Sequence, residues 1–244
     1  MSTFSRLTQV FNAAKERELP FDDTSKIVLF SDCHRGDNSW ADDFGRNQLL
    51  MFFALKRYFE DGFTYIEVGD GDELYENHRF EDIRKAHDHI FWLLSEFHRQ
   101  KRLHLIHGNH DMEHKYPAVV QRDLYSYYDD REDMTMPLFD GIEVHEGIVL
   151  RHVDSGGRIL LVHGHQGDFI NDRLWRVGRF FVRHVWRPLQ LLGFADPTSP
   201  AQNFTKRGKV EEQNHGLGQE EEPAPDLRAH TQALVKGAGQ APVL

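Results

Sequence analysis

Short apolar runs that stop abruptly at metal-capable side chains constrain this chain more than any other feature. Ile27-Val28-Leu29-Phe30 runs straight into Ser31-Asp32-Cys33-His34. A second run closes on Val68-Gly69-Asp70, a third on His107-Gly108-Asn109-His110-Asp111, and a fourth on Val162-His163-Gly164-His165. Runs this short and rich in branched residues read as strands, predicted here at 26–30, 64–68, 103–106, 148–153 and 158–162. Helical periodicity lies between them. Residues 46–60 place Leu49, Leu50, Phe53, Ala54 and Leu55 opposite a charged face, and 80–100 space Ile83, Ile90, Leu93, Leu94 and Phe97 near the helical repeat. Alternating strands and helices predict a mainly parallel sheet, and Asp154-Ser155-Gly156-Gly157 predicts a hairpin between the last two strands. The expected fold class is α/β, a sandwich of mixed sheets flanked by helices.

In such a sheet the carboxyl ends of parallel strands open onto one crevice. Four strand ends therefore bring their donors together, although about 130 residues of sequence separate the first from the last. The donors are Asp, His and Asn, hard or borderline ligands with no thiolate cluster. They suit Mn²⁺, Fe or Zn²⁺ in a reactive site better than a structural zinc. Asp70, on the middle strand, is placed to bridge two cations, and a cation pair about 3.5–4 Å apart clamps a transferring phosphoryl group. The adjacent Gly69, Gly108 and Gly164 allow close approach.

The remaining features bound the partners. A formal net charge of −10 over 244 residues argues against a nucleic-acid binder, and the single cysteine, Cys33, excludes an internal disulfide. Cys33 reads as a small space-filler. No run of about 18 apolar residues is present and the first 20 residues lack a secretory signal, so a cytoplasmic chain is expected. After the core the character changes. Arg173, Arg176, Arg179, Arg183 and Arg187 run beside Leu174, Val177, Phe181 and Val185, with Trp175 and Trp186, as a basic amphipathic helix suited to peripheral contact with a membrane surface. Beyond residue 210 the sequence turns to low complexity. The expected organisation is an N-terminal segment 1–25, a core 26–170, a helical insertion 171–210 and a tail 211–244.

"SDCHRGD", "VGDGDELYEN", "IHGNHD" and "LVHGH" resemble, in order, four of the five blocks of the calcineurin-like metallophosphoesterase superfamily. That resemblance implies a four-layer sandwich and a hydrolase with two divalent cations, Mn²⁺ first and Zn²⁺ or Fe as alternatives. It implies that Asp32 and His34 hold one cation, that Asn109 and His163 hold the other, and that Asp70 bridges them. His110 would lie beside the scissile phosphorus with Asp111 orienting it, while a metal-held hydroxide attacks in line. Arg35, Asn77 and His78 are candidates for the substrate phosphate, whereas His87, His89 and His98 read as packing or surface residues. "LLVHGHQGDFIND" and the Arg/Trp-rich stretch after it look most like the branch that cleaves UDP-2,3-diacylglucosamine in lipid A synthesis. The implied partner is then a nucleotide-sugar lipid or another phosphorylated small molecule.

The family's fifth block, Gly-His-x-His, does not follow the insertion. Its nearest echo is Ala229-His230-Thr231-Gln232, and His165 and His230 are the candidate replacements. A frameshifted or truncated end would produce such a sequence, and fewer ligands would weaken cation affinity. A degenerate, inactive fold that binds lipid or protein is the alternative function.

Overall fold

The structure, a computed structural model, describes residues 3–166 together with Phe180 and Val182. These belong to the first of two units, Met1–Asp196 and Pro197–Leu244. The expected insertion and tail fall outside the described residues except at those two positions.

Four strands form the central sheet: β2 (Ile27–Phe30), β3 (Thr64–Val68), β4 (Leu103–Ile106) and β7 (Val144–His145), all parallel in that order. A second sheet has the order β1 (Leu19–Phe21), β8 (Gly147–His152), β9 (Arg158–Val162), with β1 parallel and β9 antiparallel to β8. The β8–β9 turn is the hairpin expected at 154–157, with Gly156 at φ +71°. Strand alternation sorts the side chains. Ile66 and Ile106 of the first sheet meet Ile148 and Leu150 of the second. Tyr65, one residue before Ile66, points the other way into the helical layer of α2 (Gln48–Glu60), α3 (Phe80–Ala86), α4 (Asp88–Arg99) and α5 (Pro117–Leu124). The opposite face of β8 takes α1 (Thr3–Ala14), where Val10 lies so close to Gly147 that a Cβ there would sit 2.6 Å from its methyl. Helix, sheet, sheet, helix is the layer order, and the mixed α/β class is as expected. A small antiparallel pair, β5 (Ser126–Asp129) with β6 (Met134–Pro137), stands apart.

Two helical expectations are corrected. The helix predicted over 80–100 is two helices, broken at His87, whose φ −122°, ψ 36° leave the helical region. His87 is fully buried, and its Nε2 meets Asp42 Oδ2 at 2.9 Å. That side-chain bond anchors the break, while His87 N–H still donates to Ile83 O and its C=O accepts from Ile90 and Phe91 N–H. In α2 the expected stripe is split: Leu49, Leu50 and Phe53 are exposed, whereas Leu55 is buried with Met51, and Phe52 and Phe59 pack on the core. The helix carries apolar residues on both faces, so periodicity alone leaves its rotation open. Leu55→Ala should therefore cost about 2–5 kcal/mol of unfolding free energy, and Leu50→Ala about 0.5 kcal/mol or less, by chemical denaturation. The reverse ranking would put Leu50 inside and Leu55 outside.

Candidate metal centre

The site grows out of the first sheet. β2 and β3 pair in parallel up to Phe30↔Glu67, and the pairing continues into the loops beyond. Asp32 N–H donates to Gly69 O at 3.2 Å, His34 N–H to Asp70 O at 2.9 Å and Arg35 N–H to Gly71 O at 3.0 Å. Asp32, His34 and Asp70 adopt φ of 55°, 49° and 52°. A side chain in this left-handed region costs roughly 1–2 kcal/mol, and three such residues facing one another mark a spot where surrounding bonds enforce the geometry. The third strand end approaches as closely. A Cβ on Gly108 would fall 2.1 Å from Asp70 Oδ1, and one on Gly69 would fall 2.6 Å from the His163 ring. Only glycine permits either approach.

Asp70 is the hub. Its Oδ1 accepts the His110 backbone N–H at 2.8 Å. Its Oδ2 lies 3.1 Å from His163 Nε2 and 3.8 Å from His34 Nε2. Asn109 Oδ1 is 3.2 Å from His163 Nε2, and Asp32 Oδ1 is 3.9 Å from His34 Nε2. Two groups of donors each lie within 4.8 Å, Asp32–Asp70–His163 and His34–Asp70–His110, and Asp70 belongs to both. The tautomers fit a cation pair as well. His163 Nδ1 donates to Val68 O at 3.0 Å and His34 Nδ1 to Glu73 Oε2 at 2.7 Å, since a carbonyl or carboxylate only accepts. Both rings therefore turn Nε2 toward Asp70, the nitrogen a cation would take once its proton leaves. The donor set suits hard or borderline divalent ions.

The charges respond accordingly. Burial opposes the charge on Asp70, yet the His163 hydrogen bond, with His163, His110 and His34 around it, holds its carboxyl well below the usual range. Burial likewise opposes protonation of His34, but the bond to Glu73 and the charges of Glu73, Asp70 and Asp32 push it up to about 9. His163 is also pushed up to about 9, against burial, by Asp70 and Asp32. Glu73 is drawn down to about 2 against burial, by His110 first and then His34.

Glu73 itself is a site residue that the sequence reading missed. It lies three positions beyond Asp70, and one carboxylate meets the Nδ1 of both His34 and His110 within 2.8 Å. The expectation that Asp111 orients His110 is corrected by this. Asp111 instead accepts from the backbone N–H of Gly108 at 2.5 Å and of Gly71 at 3.1 Å, bracing the two loops. Arg35 is also reassigned, because it is 1% exposed and bonded to Glu67 and Asp72, out of reach of a substrate phosphate. Asn77 is buried with Nδ2 donating to Glu73 O at 2.9 Å, while His78 is exposed. Burial pushes the Cys33 thiol up to about 12, an inert group. His165 is buried, 5.6 Å from His163 between ring centres, and enters neither donor group. His230 and the stretch 173–192 apart from Phe180 and Val182 lie outside the described residues.

The calcineurin-like phosphoesterase family profile matches residues 25–216, and the chain belongs to that family. Metal-dependent phosphoesterase is the class of chemistry this membership defines. No curated protein and no solved structure matches the chain.

Cations and protons compete for the same lone pairs here. At pH 7 the cation-free His34 and His163 carry protons, so binding should release about two protons, and apparent affinity should climb from pH 6 to about 9. Calorimetry in buffers of different ionisation enthalpy measures the release. Binding with no proton release and flat affinity would contradict the protonated rings. In the cation-free protein both folded pKa values exceed the free-imidazole value of about 6.5. Their stabilisation is thus complete below pH 6.5 and lost as pH rises through about 9.

Proposed function

We propose that this chain hydrolyses a phosphate ester or anhydride with a pair of divalent cations held around Asp70. The observation that carries this reading is the shared carboxylate, with two donor groups meeting on Asp70 and Nε2 of both His34 and His163 turned toward it. Asp32 and His34 would hold one ion, Asn109 and His163 the other. When bound, the ions polarise the phosphoryl oxygens and make water a usable nucleophile at neutral pH.

The chain's own part is positional and protic. His110 is gripped on Nδ1 by Glu73, stacks on Tyr75 at 4.5 Å and 25°, and stands edge-on to His34 at 4.5 Å. Its one remaining nitrogen, Nε2, is the donor offered to a leaving oxygen. Burial opposes its charge, but Glu73 and Asp70 raise its affinity for a proton above that of a free imidazole.

A nucleotide-sugar pyrophosphatase acting on UDP-2,3-diacylglucosamine in lipid A synthesis, with manganese, is the specific form of the proposal. It rests on "LLVHGHQGDFIND" and on the basic, tryptophan-bearing stretch 173–192, whose composition suits an anionic lipid surface. Hydrolysis of that substrate and of an aryl phosphate, each with Mn²⁺, separates the forms. Turnover of the aryl phosphate alone would remove the lipid substrate and keep the phosphoesterase. The absent fifth block favours a second reading, a degenerate fold that binds lipid or protein. Less than about one bound ion per chain with no ion-stimulated turnover would support it.

Two substitutions probe the division of labour. His110→Asn should lower kcat about 10²- to 10⁴-fold with cation binding intact, the size of a lost proton donor. Asp70→Asn should abolish both binding and turnover, measured by metal analysis of the purified variant. A His110→Asn variant with unchanged kcat would remove the proton-donor role.

A further inference from the structure

We propose that Arg35 is a positioning residue for the cation held by Asp32 and His34. The inference rests on the two-cation reading and adds a residue that touches neither ion nor substrate. Arg35 follows His34 directly, and its guanidinium spans two carboxylates of the neighbouring loop and strand. Nε donates to Asp72 Oδ1 at 2.8 Å, while Nη1 and Nη2 form a fork on Glu67 Oε2 and Oε1, both at 2.7 Å. Tyr65 Oη fastens Glu67 Oε2 from the far side at 2.7 Å, and the Phe91 ring lies 5.2 Å beneath the guanidinium. The backbone of Arg35 is used too, its N–H on Gly71 O and its C=O receiving Glu73 N–H at 2.9 Å. A Cβ at Gly71 would fall 1.9 Å from Glu67 Oε1 and 2.7 Å from Arg35 Nη2, so the clamp also dictates the glycine.

Five bonds thus pin the residue after His34 to the stretch that carries Asp70 and Glu73. The left-handed conformations of Asp32 and His34 need such over-determination to persist. A buried ion cluster is a weak source of stability, since desolvation offsets its attraction. Its value here is geometric: it fixes where the β2 loop presents its two ligands. Asn109 and His163 come from the ends of β4 and β9, and no bond of the clamp reaches them.

The test uses the full chain labelled with ¹⁵N-histidine and titrated with Zn²⁺, following the imidazoles of His34 and His163 separately. Arg35→Lys keeps the charge and loses the fork. The midpoint for His34 should move about 10- to 100-fold to higher Zn²⁺, the usual cost of disturbing a ligand's support, while the midpoint for His163 stays in place. Asp72→Asn keeps an acceptor for Nε and should shift His34 the same way by less. A purely structural arginine would lower the thermal midpoint and leave both titrations unchanged, or move both equally, and either result overturns the proposal. If neither histidine responds to Zn²⁺ in the unmodified chain, the two-cation reading falls and takes this role with it.

Discussion

A carboxylate buried at the end of β3 is the constraint to which the rest of the structure answers. Asp70 is 3% exposed, and an ionised carboxylate that deep needs donors or cations on every side. Parallel pairing supplies them. The β2 loop brings His34, the β4 loop brings the His110 amide, and the end of β9 brings His163. No neighbouring segment of chain could offer all three. The apolar contact of Ile66 and Ile106 with Ile148 and Leu150 holds the two sheets together so that β9 ends beside β3. Hydrophobic packing in the middle of the molecule thereby sets a distance of 3.1 Å at its edge.

Glu73 links the two jobs of the site. Its single carboxylate orients both His34, the proposed cation ligand, and His110, the proposed proton donor, so the two rings share one support. Movement of either ring changes the environment of the other. Tyr75 closes the arrangement by stacking on His110, and it forms with Met112 a small buried cluster against which Val182 packs. Val182 is one of two described positions beyond residue 166, and it reaches the wall of the site.

The strands were legible in the sequence because their signal is local. β3, β4 and β9 coincide with the apolar runs that predict them, and each ends where glycine and polar donors begin. Helix α2 was legible as a helix but not in its rotation, since Leu49, Leu50 and Phe53 face outward while Met51, Phe52, Leu55 and Phe59 turn inward, and the two sets are close in number. The β5–β6 pair escaped because Ser126–Asp129 is short, polar and half exposed. Within the site, residues at strand ends could be found from position, whereas Glu73 could not. Nothing periodic announces a carboxylate that folds back across its own loop to two imidazoles. Arg35 misled for a related reason. An arginine beside a ligand suggests a phosphate partner, and only the structure reveals Glu67 and Asp72 already occupying its fork.

The absent Gly-His-x-His block bears on activity through coordination number. On the proposed division, Asp32, His34 and Asp70 would give one ion three protein donors, and Asp70, Asn109 and His163 would give the other three, whereas the donor groups within 4.8 Å are Asp32–Asp70–His163 and His34–Asp70–His110. Three protein ligands with an open position is the usual arrangement of a reactive site, whereas closed four-ligand sets serve structure. On that division the described residues would keep an open position at each ion, and the missing block would subtract affinity. A weakly held ion places greater weight on ligand pre-organisation, because each donor that must be ordered on binding reduces affinity further. That is the physical reason for so much enforced geometry here: left-handed ligands, glycines that admit no side chain, and a buried arginine clamp beneath them.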